Sequence, residues 1–284
     1  MRALSAVLIC LLFLSAMAAA RPAPVLVDFF SFEQDFEGWV PNGADLSVEG
    51  VTDEWSITRS QDMAKDGAWS VRLFLVNDND AGKIWIQKPF TLQPNQTYQV
   101  QVSYFMAPID GPVSNTIIAG AATRPPATRD DLVPFFGGLA NLGRRTGANK
   151  FARHGYEFTA QADDAGSLYV FIGVWATFEV GYVYYLDAVR TTFTMRQPGA
   201  PEPIIESVDF NGTKRLRING SAFGPSPRVI INNIDRSEFI TASSDSLIKL
   251  KGSLSDFFGV GAEIRVVDDT TAAASRPFII QMTN

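Results

Sequence analysis

His154 is the sole histidine of this 284-residue chain, and that alone narrows the chemistry on offer. Zinc sites built on several histidines are excluded. A Ser-His-Asp relay would have to use His154, and although Asp163 and Asp164 follow it closely, no serine carries the flanking glycines of a nucleophile elbow. A lone histidine in a polar stretch reads as solvated. The segment Gly138-Leu-Ala-Asn-Leu-Gly143 has the glycine spacing of a phosphate loop, but Arg144 stands where lysine is required and no strand-then-helix pattern surrounds it. Cleavage between sugar rings needs two carboxyl groups flanking the bond. Glu157 and Glu179 could pair across a sheet, yet no motif marks them.

Aromatic, amide and guanidinium groups offer a different chemistry. Flat rings cover apolar C–H surfaces, while amides and charged groups bond hydroxyls. Trp85 lies between Ile84 and Ile86. Tyr169, Phe171 and Trp175 share a parity opposite to Val170, Ile172 and Val174. Tyr98, Val100, Val102 and Tyr104 form one face of their segment, and Gln99, Gln101, Ser103 and Phe105 form a more polar one. By the same alternation Arg72 and Phe74 face away from Val71, Leu73 and Leu75. Trp85, Trp175, Arg72, Gln101 and Phe105 are therefore the candidate binding residues, with Trp39 and Trp69 assigned to packing.

The elements that must position these groups are strands. Apolar residues recur with period two from Trp69 to Val76, Thr97 to Tyr104 and Leu168 to Trp175, and the breaks are turn-rich, as at Asn77-Asp-Asn-Asp-Ala-Gly82 and Gln93-Pro-Asn-Gln96. No segment has a helical period with caps. The expected class is all-β, with antiparallel sandwiches. Three prolines and a glycine in residues 196–203 place a linker there. Residues 107 to 150 hold a second irregular stretch, expected to mix short strands with an insertion over one end of the first domain.

Met1-Arg2, an apolar run from Ala3 to Met17 and Ala18-Ala19-Ala20 have the order of a secretory signal peptide over residues 1–20. The run is short for a membrane span, so a mature chain without a span is expected, secreted or held in a periplasm or at a cell surface. Cys10, the one cysteine, falls inside that run. A disulfide-free exported chain points to a bacterial source. The remainder is long enough for two domains at roughly 100–200 residues each. The formal charge of −6 argues against nucleic acid and anionic lipid as partners.

Four segments come in a telling order: Ser31-Phe-Glu-Gln-Asp-Phe-Glu-Gly-Trp39, Ala64-Lys-Asp-Gly-Ala-Trp-Ser-Val-Arg-Leu73, Pro89-Phe-Thr-Leu-Gln-Pro-Asn-Gln-Thr-Tyr98 and Val183-Tyr-Tyr-Leu-Asp-Ala-Val189. Together they resemble carbohydrate-binding modules of families 4, 9 and 22, jelly rolls of the galactose-binding-like superfamily. The resemblance covers roughly residues 28 to 193 within a domain placed at 25–195, and its motifs mark the scaffold. It implies a polysaccharide or glycan as partner. It also implies a structural calcium ion tying the first strand to the last, held by Glu33, Asp187 and backbone carbonyls near Lys65 and Gly67. Ala188 departs from the family, which often has a second acidic residue there.

Residues 204–284 contain Arg215-Leu-Arg-Ile-Asn-Gly-Ser-Ala-Phe-Gly224 and resemble the IPT/TIG domain, an immunoglobulin-like sandwich, with Ile218 to Gly224 matching its strand, turn and glycine pattern. The resemblance implies a spacer or an accessory module beside a carbohydrate-active domain, and with no polar cluster in the sequence to suggest a site, a spacer is the expected role. The expected whole is an N-terminal jelly-roll sandwich with a C-terminal immunoglobulin-like sandwich, binding glycan without cleaving it. The alternatives are an adhesion or structural protein that contacts other cell-surface proteins, and a glycan-cleaving enzyme.

Overall fold

The computed structural model describes residues 24–48, 50–78, 81–109, 115–127, 136–140, 151–175, 181–255 and 262–280. The expected signal peptide, the Arg144 segment and Glu179 lie outside the described residues. Among the described residues the regular structure is nearly all strand, joined by turns and loops, with a short 3₁₀ turn at Ser237–Phe239.

The first sandwich has two antiparallel sheets. The six-stranded sheet runs β11 (Ala152–Gln161), β8 (Thr97–Ile109), β13 (Tyr182–Met195), β6 (Ser70–Leu75) and β5 (Trp55–Ser60), with β1 (Leu26–Phe30) also on β13. The five-stranded sheet runs β10 (Phe136–Ala140), β9 (Asn115–Ala122), β12 (Ser167–Trp175), β7 (Lys83–Thr91) and β2 (Val40–Ala44). A small ribbon pairs β3 (Ser47–Val48) with β4 (Val51–Thr52).

Side chains alternate across each strand, and the alternation fills one core. Tyr98, Val100, Val102, Tyr104 and Met106 of β8 turn inward with Val71, Leu73 and Leu75 of β6, and meet Ile84, Ile86, Val170, Ile172 and Val174 of the other sheet. Trp39 closes the core edge-on to Phe30, with ring centroids 5.5 Å apart. Trp69 is half-buried under the Arg59 guanidinium, 4.1 Å from its ring centroid. His154 is not a solvated loop residue. It lies on β11, stacked on Tyr104 at 5.4 Å, and burial lowers its pKa to about 4.

β13 carries a register break between Asp187 and Arg190, with Ala188 at φ 50°. Such a bulge re-aims the side chains on either side of it. Asp187 is thereby turned to the loop before β6, while Arg190, Thr192 and Thr194 project from the sheet's outer face.

The second sandwich stacks β14 (Ile204–Phe210), β15 (Arg215–Ser221), β19 (Leu247–Lys251) and β18 (Ile240–Ser244) on a second sheet. That sheet runs β17 (Ile234–Asp235), β16 (Pro227–Ile231), β20 (Ala262–Asp268) and β21 (Ala273–Ala274), with β22 (Phe278–Ile280) on β20. Leu216, Ile218, Phe223, Val229, Ile248, Ile264 and Val266 fill its core. Gly220 is needed for close approach, because a Cβ there would lie 1.8 Å from the Ile204 carbonyl oxygen. The connection between the sandwiches is braced by Arg196, whose guanidinium binds Glu202 at 2.8 Å and the Ala200 carbonyl at 3.0 Å.

Candidate functional site

The structure divides the five candidate binding residues between two sheets. Trp85 and Trp175 project from the outer face of the five-stranded sheet, and Arg72, Gln101 and Phe105 from the outer face of the six-stranded sheet. The core lies between, so the five do not share a surface. Trp85 is 0 % exposed, in a cluster with Ala44, Ile118 and Phe171, and its indole N–H donates to Gln87 Oε1 at 2.9 Å. A covered ring offers no stacking face, which corrects its assignment as a platform. Trp175 is half-buried with Lys83 Nζ 4.5 Å from its ring centroid.

On the six-stranded sheet the three remaining candidates also separate. Arg72 pairs with Tyr185 at the far end, its guanidinium 5.3 Å from the Phe74 ring centroid. Phe105 packs beside Ala107, Phe151 and Tyr185, with Lys65 Nζ 4.9 Å above its ring. Gln101 lies elsewhere, in a cleft of about 450 Å³ between the two sandwiches.

Strand register builds the cleft floor row by row. One row runs Gly155, Ser103, Arg190 and Phe29, and the next runs Glu157, Gln101, Thr192 and Val27. Arg153 stands two residues before Gly155 on the same face, and Ile234 and Asp235 of the second sandwich form the opposite wall. Phe29 is 53 % exposed at the edge of this floor. Arg153 and Arg190 are exposed, and neither guanidinium has a hydrogen-bond or ion-pair partner among the described residues. The floor therefore combines a flat ring, two guanidinium forks, an amide and two hydroxyls. Sequence reasoning missed Phe29, Arg153, Arg190 and Thr192. The available signal was alternation along Leu26–Phe30 and along the end of β13.

One ion cluster fixes the cleft's width. Glu157, 3 % exposed, takes both forks of Arg228 from the second sandwich, Nη1 to Oε2 at 2.5 Å and Nη2 to Oε1 at 2.7 Å. Arg228 also binds Asp235 Oδ2 at 3.1 Å and Asp269 through Nε. Burial opposes the Arg228 charge, but Glu157 and Asp269 outweigh it and hold the guanidinium more firmly protonated than usual. Around it Gln101 Nε2 donates to Glu157 Oε2 at 3.1 Å, Arg265 donates to the Glu157 carbonyl at 3.1 Å, and the Glu157 N–H donates to the Asn233 carbonyl at 2.7 Å. Both carboxylates that line the cleft are thus bonded to Arg228.

The groups inferred for calcium meet, but in the wrong sense. Glu33 and Asp187 do reach the 65–69 loop, yet they accept its N–H groups rather than joining its carbonyls. Glu33 Oε1 takes Ala68 and Trp69 N–H, each at 2.9 Å. Asp187 Oδ2 takes Lys65 and Asp66 N–H at 2.6 and 2.8 Å, and its Oδ1 takes Ala188 N–H at 2.6 Å. Gly67, at φ +64°, lets the loop close on Glu33, because a Cβ would lie 2.4 Å from that carboxyl carbon. Amide hydrogens aimed at a carboxylate put positive partial charge where a cation needs carbonyl oxygens, so these three residues do not fit a calcium cage in this arrangement. Accordingly, excess chelator is expected to leave the melting temperature unchanged, whereas Glu33→Ala lowers it by orphaning two N–H donors. A melting temperature that rises with free calcium would contradict this.

No protein-family model matches the chain, and no curated protein does. Solved structures do resemble it in fold. The CBM22-1 xylan-binding domain of Paenibacillus barcinonensis Xyn10C has 14% identity and a TM-score of 0.35, over 62% of this chain and 98% of that one. The C-terminal family 22 carbohydrate-binding module of Clostridium thermocellum Xyn10B has 16% identity and a TM-score of 0.34, over 61% and 94%. A β-1,2-glucanase from Parabacteroides distasonis has 10% identity and a TM-score of 0.30, over 87% of this chain and 37% of that one. Values this low carry no argument about ligand or activity, which must come from the cleft itself.

Proposed function

We propose that this chain is an exported, non-catalytic glycan-binding protein whose ligand lies in the cleft between the sandwiches. One observation carries this reading: two guanidinium groups without partners among the described residues, Arg153 and Arg190, line the cleft beside an amide, two hydroxyls and the Arg228-bound carboxylates, with the exposed Phe29 paired next to Arg190 at its edge. A ring face for C–H surface and forked donors for hydroxyl or carboxylate oxygens are what a sugar requires. Glycan cleavage is disfavoured because Glu157 and Asp235 are both engaged by Arg228, leaving neither to face a ligand as proton donor. The signal-like residues 1–20 support export, and the Ile218 to Gly224 motif supports an IPT/TIG-type second sandwich.

Affinity electrophoresis of the full chain over neutral and acidic polysaccharides tests this, with reducing ends measured alongside. Arg153→Ala with Arg190→Ala is expected to weaken binding by about 1.5–3 kcal/mol for each charged hydrogen bond lost, with the melting temperature unchanged. Retardation by no polysaccharide would favour the adhesion reading, and new reducing ends would make the chain an enzyme.

A further inference from the structure

The exposed face of the β14–β15–β19–β18 sheet carries a block of four cations. Register sets Arg215 opposite Lys251 and Arg217 opposite Lys249. All four are exposed, because they alternate with Leu216 and Leu250, which are buried in the second core. This corrects the expectation that the second domain holds no polar cluster. Like charges directly opposite one another on a sheet repel, and among the described residues none of the four forms an ion pair, Asp209 being the one carboxylate placed opposite a member of the block. Arg215, Lys249 and Lys251 have no side-chain partner among the described residues, and Arg217 Nε donates to the amide oxygen of Asn219 at 2.9 Å. The acidic neighbour on this face, Asp209, lies opposite Arg217 but has Asn219 Nδ2 at 3.4 Å. Asn211 Oδ1 accepts the N–H groups of Thr213, Lys214 and Arg215, fixing the turn that leads into the block. A groove of about 790 Å³ runs over it, with Asn211 and Thr241 at its sides.

We propose that this face binds an acidic polysaccharide through its carboxylate or sulfate groups. Two strands root the four side chains about 4.8 Å apart across the sheet and about 6.8 Å apart along it at the backbone, a flat base from which long cationic side chains can reach charges on successive rings of an extended chain. Asn211 and Thr241 supply partners for ring hydroxyls. Single-stranded nucleic acid would call for stacking aromatics beside the cations, and Phe210, the aromatic of this groove, packs against the core instead. An anionic membrane would call for exposed apolar side chains among the cations, and the groove's Val208, Leu216 and Leu250 are instead buried in or packed against the second core. The site shares no residue with the cleft between the sandwiches.

The test is affinity electrophoresis of the full chain in polygalacturonate and in dextran sulfate, with neutral dextran as control, at low and high salt. The expected result is retardation by the polyanions alone, relieved by salt. The Arg215→Gln, Arg217→Gln, Lys249→Gln, Lys251→Gln variant should bind roughly tenfold or more weakly than the parent chain. Lys249→Glu with Lys251→Glu gives the same reading should the fourfold variant fail to fold. Absence of retardation, or retardation undiminished in these second-sandwich variants, overturns the proposal. So does loss confined to the Arg153 and Arg190 variant, or tighter binding to a single-stranded oligonucleotide or to phosphatidylserine vesicles than to either polysaccharide.

Discussion

Arg228→Ala is expected to lower stability by about 3–5 kcal/mol, the range for removing one partner of a buried ion pair. Among the described residues Arg228 is the one cation joining Glu157 of the first sandwich to Asp235 and Asp269 of the second. Without it, the buried Glu157 carboxylate keeps only the Gln101 amide as a side-chain partner among the described residues, with two further carboxylates, Asp235 and Asp269, nearby and no longer neutralised. Arg228→Lys is not a rescue, because a single ammonium cannot reproduce the fork that meets both Glu157 oxygens. Thermal unfolding of the full chain should show a lower midpoint. Proteolysis within residues 196–203 should accelerate, since the ion cluster holds the sandwiches together beside that segment. An unchanged midpoint with unchanged proteolysis would mean that the cluster is marginal.

Trp85→Ala is expected to cost about 3–5 kcal/mol as well, the range for a buried tryptophan replaced by alanine, while leaving glycan affinity of the folded fraction unchanged. The ring is fully buried against Ala44, Ile118 and Phe171, and its N–H is bonded to Gln87, so its loss opens a void and leaves Gln87 Oε1 with only the longer bond from Asn42 at 3.3 Å among the described residues. The comparison of stability with binding is decisive. A variant as stable as the parent but unable to bind would return Trp85 to the role of sugar platform.

These two expectations mark where sequence reasoning succeeded and where it stopped. Period-two alternation gave the strands and their parity, because the pleat is a local property. Arg72 and Phe74 do turn away from Val71 and Leu73, and Trp175 does oppose Val174. Parity does not say to which sheet an outward face belongs, so Trp175 and Gln101 read as companions although the core separates them. Nor does it say what covers a face, and Trp85 is outward yet buried. In Leu26-Val-Asp-Phe-Phe30 two phenylalanines adjoin, and only pairing with β13 shows that Phe30 enters the core while Phe29 stands beside Arg190. The Glu157–Arg228 pair joins residues 71 apart in different domains, and nothing local marks either. The Arg-Leu-Arg and Lys-Leu-Lys runs of the second sandwich were legible one at a time, but the register that sets them side by side was not. Glu33 and Asp187 do converge on one loop, as the resemblance implied, but the sequence could not say whether that loop would turn carbonyls or N–H groups toward them.

The central claim is that a glycan occupies the cleft over Gln101, Ser103, Arg153 and Arg190. The most direct measurement is titration calorimetry of the full chain against the polysaccharide that retards it most, comparing the parent with the Arg153→Ala, Arg190→Ala variant at equal fold content. The account predicts binding by the parent and a loss of roughly tenfold or more in the variant, since a charged hydrogen bond contributes about 1.5–3 kcal/mol. Equal affinity in the two proteins, with both folded, would contradict it.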